Sequence, residues 1–201
     1  YNNWQHDDAI PSWIAEQLDL PSWTPLYKQH RVVLEGGSID VNGAGCLLTT
    51  EECLLSTVQA RNPALTREDL EWIFHNFLGA EHTLWLRNGI AGDDTHGHVD
   101  DLARFTDAST IVVASECDPR DQNFEPLKEN LALLREMKDA QGNPFRIETL
   151  PMPQPVYFNQ QRLPASYANF YVANEIVLVP TFNDANDRIA LNKLSELFPH
   201  R

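Results

Sequence analysis

Residues 91–101, "AGDDTHGHVDD", hold four aspartates and two histidines in eleven positions. No other part of the chain is so dense in groups that bind a cation or exchange a proton. Three chemistries fit such a cluster. An imidazole flanked by carboxylates makes an acid–base pair, because one carboxylate orients the ring and stabilises its cation while another holds a cationic ligand. The spacing H-x-H-x-D at His96, His98 and Asp100 also opens a zinc-hydrolase ligand set. That set needs a further histidine where Asp101 stands, and after His98 the chain offers only His200. The third option is a solvated loop whose acids cap and hydrate a turn. A second acid with an unusual neighbourhood is Glu35 in "LEGGS", where Gly36 and Gly37 let another group approach the backbone closely.

Periodicity supplies the elements that must carry these groups. "RVVLEGGSIDV" and "GCLLTT" read as strands joined by the turn "NGAG". "TREDLEWIFHNFLG" reads as a helix with Thr66 as N-cap, Asp69 completing a capping box and Gly79 as its stop. "HTLWLR" reads as a strand. The order starts again with "HVDDLARF" and "TIVVAS" as strands, "NFEPLKENLALLREMKDAQG" as a helix and "FRIETL" as a strand. A third pass gives "YANFYVA", "EIVLVPTF" and the helix "DANDRIALNKLSELF". "DDAIPSWIAEQLDLP" reads as the helix of a preceding unit, with Pro11 tolerable only near its start.

The repeat is therefore strand, strand, helix, strand, at a period of roughly 60 to 70 residues. Repeats of this kind bury their faces against their neighbours, so a ring of small mixed sheets with helices outside is expected. Residues 1–201 read as a single α+β domain fragment of such a ring. "ECDPRDQ" and "PMPQPVYFNQQRLP" read as loops. Glu35 and His98 fall at equivalent places in successive units, and strand alternation would put His98 and Asp100 on one face.

Composition narrows the partners. A formal charge of −14 gives no basic stripe to neutralise phosphates, so nucleic acid is not expected, and no apolar run is long enough for a membrane span. The negative field suits a small cationic ligand. Three cysteines, Cys46, Cys53 and Cys117, form no CxxC pair and read as packing in a cytoplasmic protein. Faces left uncovered at the cut ends would favour a homo-oligomer.

The stretches "LEGGSID…GCLLTTEECLL…ARNPALTREDLE", "GIAGDDTHGHVDDLARF" and "LPMPQP…PASYANFYVANEIVLVPTFNDANDRIAL" resemble the bacterial agmatine deiminase and Porphyromonas-type peptidylarginine deiminase family. The likeness runs from about Val32 to Phe198. It implies a pentein-type α/β propeller of five units and a cysteine-dependent deimination with no cofactor and no metal. Agmatine would go to N-carbamoylputrescine and ammonia, a step toward putrescine. Peptidylarginine deimination and a degenerate guanidino-binding protein are the alternatives. On the matching motifs, Glu35 would hold His98, and His98 would act as general acid and then base. Asp100 would grip the guanidinium, with Asp94 or its neighbour Asp93 also placed at substrate. The family nucleophile is expected in a His-Cys segment beyond Arg201, and a second guanidinium-binding aspartate before Tyr1.

Overall fold

The computed structural model describes residues 5–201, and the order strand, strand, helix, strand runs through it twice in full. The first pass is Ile39–Val41, Cys46–Thr50, Arg67–Leu78 and His82–Leu86; the second is Ala103–Phe105, Thr110–Ser115, Phe124–Glu136 and Arg146–Pro151. In both, the first two strands pair antiparallel and the last pairs parallel with the second. A helical crossover is what a parallel neighbour demands. The third pass has the hairpin Tyr171–Val172 and Val177–Leu178 followed by the helix Asp187–Leu197.

Strand Thr110–Ser115 has no face toward water. Ile111, Val113 and Ala114 join a core with Leu48, Leu84, Leu86, Val99 and Leu102, while Val112 joins a second core with Tyr167, Phe170, Leu194 and Phe198. A continuous apolar run such as "TIVVAS" is the sequence form of a strand covered on both faces. Arg104 ties three passes together. Its Nε donates to Asp40 Oδ1 at 2.9 Å, its Nη1 to the Phe170 carbonyl at 2.8 Å, and its guanidinium lies 4.9 Å from the Phe170 ring centroid.

The described residues divide into two compact units, one ending at Val33 and the other spanning Leu34–Arg201. The smaller unit holds the helix Gln5–Gln17 and the hairpin Leu26–Tyr27 with His30–Arg31. Pro11 sits well inside that helix rather than near its start, where its missing N–H costs a backbone hydrogen bond. Arg31 clasps Asp8 at 2.6 and 2.7 Å, an exposed pair that contributes about 1 kcal/mol or less.

Several expected boundaries move. Helix Arg67–Leu78 starts and stops as expected, with the Thr66–Asp69 capping box formed and Gly79 left-handed at φ 69°. Helix Phe124–Glu136 stops short of the expected Gly142, because the Asp139 carboxylate takes the amides of Gln141 and Asn143 into a tight turn. The segment "PMPQPVYFNQQRLP" is not all loop. It contains the hairpin Tyr157–Phe158 with Gln161–Arg162, turned by Asn159 and Gln160 at positive φ.

The two strands meant to carry the chemistry are shorter than expected. Residues 35–38 form a turn instead, a 3-10 helix at Gly36–Ser38, because Ser38 sends both its amide (3.1 Å) and its hydroxyl (2.6 Å) to the Glu35 carbonyl. Likewise Val99–Asp101 is a 3-10 helix, and the strand begins only at Ala103. The amides of Gly97 and His98 are already committed to Asp93, so they cannot join a ladder.

Candidate functional site

Both turns sit in equivalent positions, and they meet. His98 Nε2 lies 3.0 Å from Glu35 Oε2, and the imidazole is mostly enclosed. Strand alternation is not what aligns His98 with Asp100; the 3-10 turn does so, and Gly37 makes the room. A Cβ on Gly37 would fall 2.4 Å from His98 Nδ1 and 2.9 Å from both Asp100 carboxylate oxygens. Gly36 has nothing within 4 Å of that position, so only the second glycine of the pair is needed for space.

The turn that delivers His98 is wired from inside. Asp93 Oδ1 accepts from the Thr95 amide at 2.7 Å and from the Thr95 hydroxyl; Asp93 Oδ2 accepts from the amides of Gly97 (2.8 Å) and His98 (3.0 Å). Asp93 is thus a capping residue. Thr50, the N-cap of helix Glu51–Leu55, accepts from the Cys53 amide and donates to the Gly97 carbonyl. Gly97 has φ +88°, and a Cβ there would press on Glu52, whose Oε2 in turn accepts from the Gly89 amide at 2.7 Å. From the next unit, Asn123 and Asn130 fix the amides of Ala91 and Arg87.

Each titratable group responds to this setting. Burial resists the His98 cation, but the neighbouring Cys53 sulfur and Glu35 carboxylate outweigh it and push its pKa up to about 10. Partial burial works against the Glu35 carboxylate, yet hydrogen bonds from His98 and Arg61 hold its pKa below the usual range. Burial raises Asp100, although His98 and Arg104 oppose it. Burial, helped by the charges of Asp100 and Asp93, pushes Asp101 up to about 7 even though Asn169 donates to it at 2.9 Å.

Asp100 is the conspicuous member. Its Oδ1 is buried and accepts no hydrogen bond among the described residues. A carboxylate left in that condition is costly unless a donor arrives. Asp94 is different: it is exposed in the turn. His96, at φ 67°, stays in the turn with Nε2 3.1 Å from Ser56 Oγ and Nδ1 3.7 Å from Glu52.

Sequence reasoning missed two neighbours. Cys53 is buried, as expected of a packing thiol, but its sulfur, a Glu35 oxygen and a His98 nitrogen all lie within 4.8 Å of one another. Among the described residues this trio, not His96, His98 and Asp100, is where metal-type donors converge. The donor types suit zinc. However, Arg61 already stands 2.8 Å from that carboxylate and His98 is held as a cation, so a metal would have to displace both charges. Arg61 is the other neighbour missed; its signal is the "RNP" inside "ARNPALTREDLE", a stretch that carries the family resemblance without marking any one residue. Cys117 departs from expectation too, being exposed rather than packed.

Fold and site together describe a mixed α/β repeat protein that brings an imidazole, an orienting carboxylate and an unsatisfied aspartate to one place. The chain belongs to the Porphyromonas-type peptidyl-arginine deiminase family, whose model matches residues 1–201. A cysteine-to-serine variant of a C. jejuni agmatine deiminase, solved with substrate bound, is 34% identical with a TM-score of 0.86, covering 97% of this chain and 55% of that one. The agmatine deiminase of Enterococcus faecalis is 34% identical with a TM-score of 0.85, over 100% of this chain and 58% of its own. A curated relative from Legionella pneumophila (strain Paris) is 40% identical over 96% of this chain. The chain spans 55% of that relative's length. Among the described residues, no helix is long and apolar enough to cross a membrane.

Proposed function

We propose that the chain carries the acid–base half of a cysteine-dependent guanidine hydrolase, acting on agmatine in the cytoplasm. The observation that carries this reading is the buried, unpartnered Asp100 oxygen beside the His98–Glu35 pair. A guanidinium offers donors in a planar fork that would satisfy such a carboxylate, and the net negative charge favours a cationic substrate.

In the proposed reaction, a thiolate from outside these residues attacks the guanidinium carbon. His98, a cation at neutral pH, gives its proton to the departing amino group, which leaves as ammonia. The imidazole then takes a proton from water, which attacks the thiouronium carbon and releases the ureido product and the thiol. Glu35 holds the ring and stabilises its cation throughout. Cys53, beside His98, is sealed from solvent at 0% exposure and serves as a packing thiol rather than the nucleophile. On this reading the 201 residues alone are inactive, and they form part of one five-unit propeller domain. Asp94 is the weaker of the two proposed substrate-binding acids.

The test uses the full protein with agmatine, arginine and a peptidyl-arginine, measuring ammonia release. Agmatine should be the best substrate, and Asp100→Asn should raise KM and lower kcat/KM by roughly 10²-fold or more. His98→Ala should cost about 10²–10⁴-fold in kcat. Full activity in the His98 variant would remove the role given to that residue. A preference for peptidyl-arginine would instead favour the alternative substrate class.

A further inference from the structure

Arg61 is a cation placed next to a site that would receive a cation, and that placement calls for a reason. Its side chain is only 15% exposed. Its Nη2 stands 2.8 Å from Glu35 Oε2, the oxygen that also lies 3.0 Å from His98 Nε2. The same Nη2 donates to the Thr95 carbonyl at 2.6 Å, while Nη1 reaches the Gln59 carbonyl at 3.1 Å. Thr95 belongs to the turn that Asp93 caps and that delivers His98. One guanidinium therefore links the two arms that carry the acid–base pair.

We propose that Arg61 is a positioning residue for the reaction: acting through Glu35, it fixes the carboxylate against His98 and limits how tightly that carboxylate holds the imidazole proton. The proposal rests on the function proposed above. A ring clamped by an undivided carboxylate would release its proton poorly when it must act alternately as acid and base. Sharing Oε2 between two cationic donors divides the charge available to each. It also removes the freedom of a side chain that is otherwise 42% exposed. A purely structural Arg61 could bond the Thr95 carbonyl alone and leave Glu35 to solvent.

The groups facing His98 are Glu35 from the first turn, Cys53 from helix Glu51–Leu55, and Asp100, Asp101 and Asp93 from its own turn. Two cations bear on that set, Arg61 at Glu35 and Arg104 whose charge reaches Asp100, and only Arg61 shares the oxygen that faces the ring. Its removal leaves the acids in place, so the His98 proton should be held more strongly.

The experiment compares Arg61→Ala, Arg61→Lys and Glu35→Gln, alone and combined, in the full protein. Arg61→Ala should lower kcat by roughly tenfold or more with little change in KM, and move the limb of the pH profile that reports His98 upward by about half a unit or more. Arg61→Lys keeps the charge but not the fork, so it should restore the profile while recovering kcat in part. In the Glu35→Gln background, Arg61→Ala should add less than about twofold, since both changes act through one contact. Independently of turnover, the ring resonances of His98 in a ¹⁵N-histidine-labelled protein should titrate at higher pH in Arg61→Ala. A fully additive double variant, or an unchanged His98 titration and pH profile in soluble Arg61→Ala, overturns the proposal. Loss of all turnover in the parent protein while the His98 titration still moves would count against the proposed function and leave this contact supported.

Discussion

Glu35 and His98 occupy equivalent turns in successive repeats, yet the two turns are built differently. The His98 turn is cross-braced: Asp93 fastens its amides, Thr50 reaches across to the Gly97 carbonyl, and Asn123 steadies its approach. The Glu35 turn closes locally at Ser38 and has one brace, the Thr49 hydroxyl donating to the Ser38 carbonyl at 2.7 Å, while its side chain is held by Arg61 and His98. The imidazole is 12% exposed and its carboxylate partner 42%. On the proposed function, the group that must meet reacting atoms in one geometry is locked by buried backbone contacts. A group that only orients and charges another can stand nearer solvent, where one added cation adjusts it.

The contrast breaks most sharply at the glycine pair. Gly37→Ala should push His98 and Asp100 from their positions and lower kcat/KM by about 10²-fold, whereas Gly36→Ala should be close to neutral; steady-state kinetics on the two variants side by side checks this. Next in size is Asp93→Asn. An amide has one accepting oxygen where the carboxylate uses two, so the His98 turn should lose about 1–3 kcal/mol, read as a lower denaturant midpoint together with a loss of kcat.

A pH experiment sharpens the comparison further. Because the pKa of His98 rises from 6.5 to about 10 on folding, the charged ring stabilises the native state. That contribution is fully present below pH 6.5 and fades as pH climbs through about 10. The stability gap between the parent protein and His98→Asn should therefore narrow across this window. A gap constant across this window would mean that folding does not raise the ring's proton affinity. The smallest effect belongs to Asp94→Asn, an exposed change expected to alter stability by less than about 0.5 kcal/mol. An unchanged KM in that variant would also remove Asp94 from the substrate contacts.

Much of this arrangement is legible in the amino-acid sequence. The repeated strand, strand, helix, strand order was readable because a helical stripe and an apolar strand leave different periods in the chain. The Thr66–Asp69 capping box and Gly79 marked their helix because caps act over three or four residues. The acids and the imidazole of the site stood out by density and by likeness to a family. The 3-10 turns at Gly36–Ser38 and Val99–Asp101 did not, since "EGGS" and "HVDD" continue into real strands with no break in polarity. What decides them is where Ser38 and Asp93 send or accept hydrogen bonds, and Asp93 is a choice among four nearby aspartates. Arg61 was hidden for a related reason: it lies far in sequence from both groups it joins.

Strand Thr110–Ser115 serves two cores, one through Ile111, Val113 and Ala114 and the other through Val112, so neither set of neighbours can ignore it. A larger residue at Val112 would be felt by the helix Asp187–Leu197, and one at Ile111 or Val113 by Leu48, Leu84 and Leu86 of the preceding sheet. Sequence drift in this one strand is therefore answerable to two sets of neighbours at once.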